Sequence, residues 1–278
     1  GEGEGEGEGE GGEEAEAEDE EELLLGSVAE LLPQVAAAVG PSFAPAFAPH
    51  FEALMRRAQP SRPEGERCLV SATLVDVVKH LGAAAAPCTE RAMPFCLREL
   101  AVDSDDSRRN AAYCAGVLCE HAGAAARPFH PQLAASVAPL LVGGGVGQAL
   151  RDNACGCAAR LLAAHPGHSA FRDGLLAALL SALPVREDMD EAEPAYGYLC
   201  ALLASEDASV ASQVPRVVQV LGEAASMEDT PAACKAMAGG TLARLMVGYG
   251  PQLGPLLDAL PGPHRDALSQ AMAAAAPA

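Results

Sequence analysis

Tryptophan is absent from the 278 residues and aromatic side chains make up only 4% of them. A core without large rings must be closed by Ala, Leu and Val, whose small and γ-branched side chains suit close helix–helix packing. Period-two alternation of β-branched or aromatic residues is scarce, which argues against strands. No Cys-x-x-Cys occurs, and the nine Cys are an odd number, which excludes a complete disulfide framework. They are Cys68, Cys88, Cys96, Cys114, Cys119, Cys155, Cys157, Cys200 and Cys234. Most lie among Ala and Leu, where a reduced thiol acts as a small hydrophobe, and this usage fits the cytosol or nucleus. No secretory leader is visible, and no uninterrupted apolar run reaches the roughly 18 residues of a membrane span. The chain starts with Gly rather than Met and reads as a piece of a longer protein.

What is present is uneven. The formal charge is −20, and residues 1–22, GEGEGEGEGEGGEEAEAEDEEE, contribute thirteen acids and no base to it. This segment lacks apolar side chains, repels itself and carries the backbone entropy of Gly, so it is expected to be a disordered, acidic, low-complexity segment. An acidic chain repels nucleic-acid phosphates and attracts basic partners.

From Leu23 to Ala278 apolar stretches alternate with Pro, Gly and Asp punctuation. The pattern predicts helices at about 22–39, 43–58, 65–82, 86–102, 106–122, 128–142, 146–164, 170–183, 188–205, 209–224, 229–248, 251–260 and 263–276, separated by breakers such as Gly40-Pro41, Asp103 to Asp106, Gly143 to Gly145 and Gly250-Pro251. Within them apolar residues step by three or four, as in Val70, Leu74, Val77 and Leu81. A longer period overlies this one. Arg108-Arg109-Asn110-Ala111 returns as Arg151-Asp152-Asn153-Ala154, 43 residues on, with Leu118 and Leu161 at matching offsets. A spacing of roughly 40–47 residues with two helices per unit is the HEAT pattern. The fold class is therefore all-α: an α-solenoid of HEAT repeats, a right-handed superhelix of antiparallel helix pairs over residues 23–278.

Chemistry-bearing residues give little sign of catalysis. Cys155 and Cys157 with His165 and His168 suggest zinc, but positions two apart on a helix face different ways. His50, His80, His121, His130 and His264 are scattered, and Gly143 to Gly145 lacks the Lys-Ser/Thr of a P-loop. No nucleophile–base pair, metal set or cofactor motif stands out, so a non-enzymatic role is expected. Arg108 and Arg151, early in successive second helices, are expected to form a structural ladder with acids: Asp103, Asp105 and Asp106 for Arg108, and a neighbouring unit for Arg151. Asn110 and Asn153 share one register and could either brace loops or grip an extended peptide. Acids on second helices, Asp76, Glu120, Asp152, Glu187, Asp188, Asp190 and Glu191, could receive Lys or Arg from a ligand or form a solvated face.

Certain strings are more specific than a generic repeat. SFAPAFAPHFEALM (Ser42 to Met55), RRNAAYCAGVLCEHAG (Arg108 to Gly123), LRDNACGCAARLL (Leu150 to Leu162), LLSALPVREDMDE (Leu179 to Glu191) and PLLDALPGPHRDALSQAM (Pro255 to Met272) resemble the C-terminal HEAT repeats of importin-β (karyopherin-β) nuclear transport receptors, the importin-four subtype among them. Pro194 departs from the family pattern by interrupting an expected helix. The resemblance implies a cargo-binding part of a receptor that shuttles between cytoplasm and nucleus, taking basic cargo such as histones or ribosomal proteins on a concave wall of second helices. It implies Ran and nucleoporins as partners of the full-length receptor, the Ran site lying outside this chain, and no nucleic acid or membrane. On that surface Asn110, Asn153, Asp152, Glu120 and Asp76 are the candidate cargo contacts. The alternatives are a HEAT scaffold of a multiprotein assembly and an acidic, histone-chaperone-like binder acting through residues 1–22.

Overall fold

The computed structural model describes residues 10–165, 167, 169–205 and 208–275. Their order is α1 Glu10–Val39, α2 Ala44–Arg57, α3 Glu64–Leu81, α4 Thr89–Glu99, α5 Asp105–His121, α6 His130–Val142, α7 Gln148–Ala164, α8 Ala170–Ala182, α9 Ala192–Ala204, α10 Val214–Ser226, α11 Ala232–Asp258 and α12 Gly262–Ala275, joined by short turns, several of them 3-10. Among the described residues there is no strand.

Local sequence explains the boundaries. Pro is the second residue of α2, α6 and α10 (Pro45, Pro131 and Pro215), where a missing N–H costs no intrahelical bond. Ser104 caps α5 by accepting the Ser107 N–H at 3.3 Å. Gly40 and Gly82 follow α1 and α3 with φ of 66° and 55°, left-handed values at which a side chain would be strained.

The odd-numbered helices touch in series, α1 to α3 and on to α11, while α6 packs on α8 and α10 on α12. This two-row stack is a HEAT-repeat solenoid. One apolar core runs the length of the stack, from Leu32 to Leu268. Where α5 meets α7, a Cβ on Gly116 would sit 2.9 Å from the Cys157 Cα, so glycine sets the approach of these helices. Eight of the nine Cys are buried and all are free thiols. Burial pushes Cys88 up to about 11 and Cys119 up to about 12, which leaves both protonated and unreactive.

Two expectations need correction. First, the backbone is helical from Glu10, inside the segment expected to be disordered. Beyond Gly12 that segment has no glycine, Glu is a good helix former, and acids suit a helix N-terminus; residues 1–9 lie outside the described residues. Second, the helix expected from 188 starts at Ala192, so Pro194 falls in its first turn and interrupts nothing. The break expected between 229–248 and 251–260 is present: α11 is two helices meeting at a kink, where Tyr249 is non-helical with φ −118° and ψ 18°. Leu23–Arg57 and Glu64–Glu99 contain windows apolar enough for membrane spans, with mean hydropathy of 1.6 and 1.4. Turns at Gly40–Phe43 and Gly82–Cys88 divide both, and half of the second window is buried against other helices.

Candidate functional site

The second-helix row carries a repeated polar framework at its helix starts. The fourth residue of α3, α5, α7 and α11 is basic: Arg67, Arg108, Arg151 and Lys235. Arg151 donates Nη1 to Leu141 O and Nη2 to Gly143 O, both at 2.9 Å, closing the open carbonyls at the end of α6. Lys235 does the same for α10 through Met227 O. Arg67 bonds Glu99 Oε2 at 3.0 Å. Arg108 reaches Asp103 at 3.4 Å and Asp105 at 3.8 Å, both in its own loop and turn. Arg151 was expected to find an acid on a neighbouring unit. Its partners are carbonyls of the helix just before it, because the α6 terminus lies closer than any carboxylate.

Acids carry the connection from unit to unit instead. Glu64 on α3 accepts from the hydroxyls of Ser104, the α5 N-cap, and Ser107 in its first turn, and those bonds hold its carboxyl below the usual carboxylate range. Asp105 on α5 accepts the Gly147 N–H ahead of α7 at 3.3 Å. Asp152 on α7 accepts the N–H groups of Arg186, Glu187 and Asp188 ahead of α9 at 3.1, 2.7 and 3.0 Å, and Gln148 Nε2 at 2.8 Å.

Two candidate cargo contacts are thereby withdrawn from the surface. Asp152 is fully buried and Asn153 is 3% exposed. Asn153 donates to Ala149 O at 2.9 Å and Asp188 Oδ2 at 2.8 Å, so its amide is spent on packing. Asn110 is half-buried and bonds back to Asp106 O at 2.9 Å. Glu120 and Asp76 are exposed, Asp76 beside Lys79 at 3.7 Å.

The second-helix row forms one wall of a cleft of about 1100 Å³, whose other lining includes the start of α8. Tyr113 and Glu120 from α5, Arg160 from α7, Arg172 from α8, Asp190 in the turn before α9 and Glu193 in its first turn line it. Arg160 is 8% exposed and bonds Glu191 at 2.6 Å and Glu120 at 3.1 Å. Its guanidinium lies 5.3 Å from the Tyr113 ring centre and Lys79 Nζ lies 4.7 Å from it, distances at which ring and cation attract. Burial pushes the Glu191 carboxyl up to about 7 against the pull of Arg160. Gly156 makes room for that carboxylate, since any Cβ there would overlap it. Asp190 and Glu193 are exposed on the cleft, and among the described residues neither has an ion-pair partner. Glu193, Tyr113 and Arg172 were not legible as site residues. Glu193, Gly197 and Ala201 line one α9 face at four-residue spacing.

Cys155 and Cys157 are fully buried, and His165 sits with Nδ1 3.3 Å from His130 Nδ1, a pairing the scattered spacing had hidden. His168 lies outside the described residues. Among the described residues no three His, Cys, Asp or Glu side chains converge on one point.

No protein-family model matches the chain. It is 35% identical to Importin-4 of Homo sapiens and 34% identical to Importin-4 of Mus musculus, each over 170 residues, 61% of this chain and 16% of the relative. It is 28% identical to the probable importin subunit beta-4 of Schizosaccharomyces pombe over 201 residues, 72% of this chain and 18% of that protein. The chain thus spans less than a fifth of the length of these relatives. These matches make the chain similar in sequence to importins, and its helical-repeat solenoid is consistent with that likeness.

Proposed function

We propose that this chain is a cargo-binding part of a nuclear import receptor, acting by binding and without catalysis. The names of its relatives support the receptor. The cleft supports the cargo class, basic proteins of the histone or ribosomal type: Glu120, Asp190 and Glu193 put carboxylates beside an aromatic floor at Tyr113. The observation that carries the reading is the pair of exposed carboxylates, Asp190 and Glu193, which no described cation neutralises. An extended segment crossing α5, α7 and α9 would set Lys or Arg heads against them, each desolvated charge-assisted bond contributing roughly 1.5–3 kcal/mol. Asn110 and Asp76 remain available at the edges of this surface. The acidic residues 1–22 would speed encounter through long-range attraction. Ran and nucleoporins are partners of the whole receptor, which would shuttle between cytoplasm and nucleus.

The test is calorimetric titration of a Lys-rich, histone-tail-like peptide into the chain and into its Asp190→Asn, Glu193→Gln double variant at one salt concentration. The expected loss is about tenfold or more in affinity, roughly 1.4 kcal/mol, with an unchanged melting temperature. Equal affinity in the two proteins overturns the reading.

A further inference from the structure

Arg172 sets itself apart from the other enclosed arginines. Arg67 and Arg160 pair with Glu99 and Glu191, and Arg151 and Arg216 bond helix-end carbonyls. Arg172 is 6% exposed, yet its Nε and Nη1 are buried with no hydrogen-bond partner among the described residues. It lies in the first turn of α8, where the helix already presents its positive end, so the helix dipole opposes the charge rather than stabilising it. Beside it the Ser169 Oγ, at the N-cap, is also buried without a partner and makes no cap bond. The Arg172 N–H donates to Ser169 O at 3.0 Å, which holds the two residues together. Buried guanidinium donors left unpaired are costly. Two neighbouring orphans at one helix start, in a residue that lines the cleft, describe a receptor waiting for an anion.

We propose that Arg172 and Ser169, at the N-terminus of α8, bind a carboxylate of the segment held in the cleft. The planar guanidinium fork fits a carboxylate, the hydroxyl adds a donor, and the helix start favours negative charge. The proposal rests on the cleft's being the cargo site and deepens it. The recognised segment is not uniformly basic but carries an acid among its basic residues. Asp190 and Glu193 take its cations and Arg172 takes its anion, and that mixed requirement separates it from an arbitrary Lys-rich tail.

The experiment uses Lys-rich peptides with acetylated and amidated ends, each carrying Glu at one position in turn, a counterpart with Gln at those positions, and the Gln counterpart with a free carboxyl end. Affinities are measured for the unaltered chain and for Arg172→Gln and Arg172→Lys. At least one Glu peptide, or the free-end peptide, is expected to bind about tenfold tighter than the neutral peptide. Arg172→Gln should abolish that preference, and Arg172→Lys should keep part of it. Which peptide gains tells a side-chain carboxylate from a chain end. Because the charge is unpaired in the chain alone, Arg172→Gln should melt at the same or a higher temperature. A preference that survives Arg172→Gln overturns the proposal. So does equal binding of all peptides, and that result leaves the cleft reading standing. Binding of none overturns both.

Discussion

Arg108-Arg109-Asn110-Ala111 and Arg151-Asp152-Asn153-Ala154 open equivalent helices, α5 and α7, with three of four residues in common. Their surroundings differ sharply. In α5 the variable position is Arg109, a partly exposed side chain that reaches Asp106, 3.4 Å away in its own turn. In α7 it is Asp152, fully buried and holding three consecutive backbone N–H groups of the loop before α9. The shared Asn follows suit: Asn110 bonds its own helix, whereas Asn153 also bonds Asp188. A sequence period identifies equivalent positions. What each position does is set by the unit stacked above it, and here one substitution turns a solvated turn into a fastening between units.

The largest test of this contrast is removal of the variable residue from each copy. Asp152→Ala should destabilise the chain by about 3–5 kcal/mol, because it strips partners from several buried donors. Arg109→Ala should cost less than about 0.5 kcal/mol. Chemical denaturation of both variants gives the comparison, and similar losses would mean that the two copies are equivalent after all. A middle-sized difference is expected at the arginines. Arg151→Ala leaves the Leu141 and Gly143 carbonyls open and should cost about 1–3 kcal/mol, while Arg108→Ala, with solvent-facing partners, should cost about 0–1 kcal/mol. Thermal melts of the pair would sharpen or erase that step.

The smallest effect is a pH slope that belongs to the α7 side alone. Glu191 keeps its proton up to about pH 7 in the folded chain and releases it near 4.5 when unfolded. The folded state therefore binds more protons between those values, and this group's contribution falls as pH rises through about 4.5–7. His130 works the other way. Burial pulls it down to about 4, so its contribution is complete above its usual 6.5 and is lost as pH falls toward 4. Subtracting the denaturation midpoints of Glu191→Gln from those of the unaltered chain cancels His130. The difference should shrink with rising pH by about 1 kcal/mol, a discounted share of the roughly 1.4 kcal/mol per pKa unit. A difference that grows with pH would show that Arg160 holds Glu191 ionised throughout.

Most of the architecture was legible because it rests on repetition and breakers. The 43-residue return of Arg-x-Asn-Ala and the Pro and Gly punctuation gave the helix order and the two rows. Boundaries failed where a residue has two meanings. Pro194 reads as an interruption until the preceding turn is known to end at Glu191, and the Glu-rich start of α1 reads equally as coil or helix. The site was less legible. Asp152 looks like a surface acid, because the residues that bury it lie 34–36 positions away. Arg172 is informative only through what does not lie beside it, which no local pattern encodes. Glu120 and Asp190 were within reach because an exposed acid needs no distant partner to stay exposed.

The bare backbone at Gly156 ties the history of one position to that of another. Its missing methyl is the space in which the Glu191 carboxylate sits, 35 residues later in the chain. A side chain gained at the first site is therefore not an independent event: Gly156→Ala alone should be disruptive, and Gly156→Ala together with Glu191→Asp should be milder than the first change by itself. Among descendants of this sequence the two positions should drift as a couple, a longer acid always facing glycine and a shorter one admitting alanine.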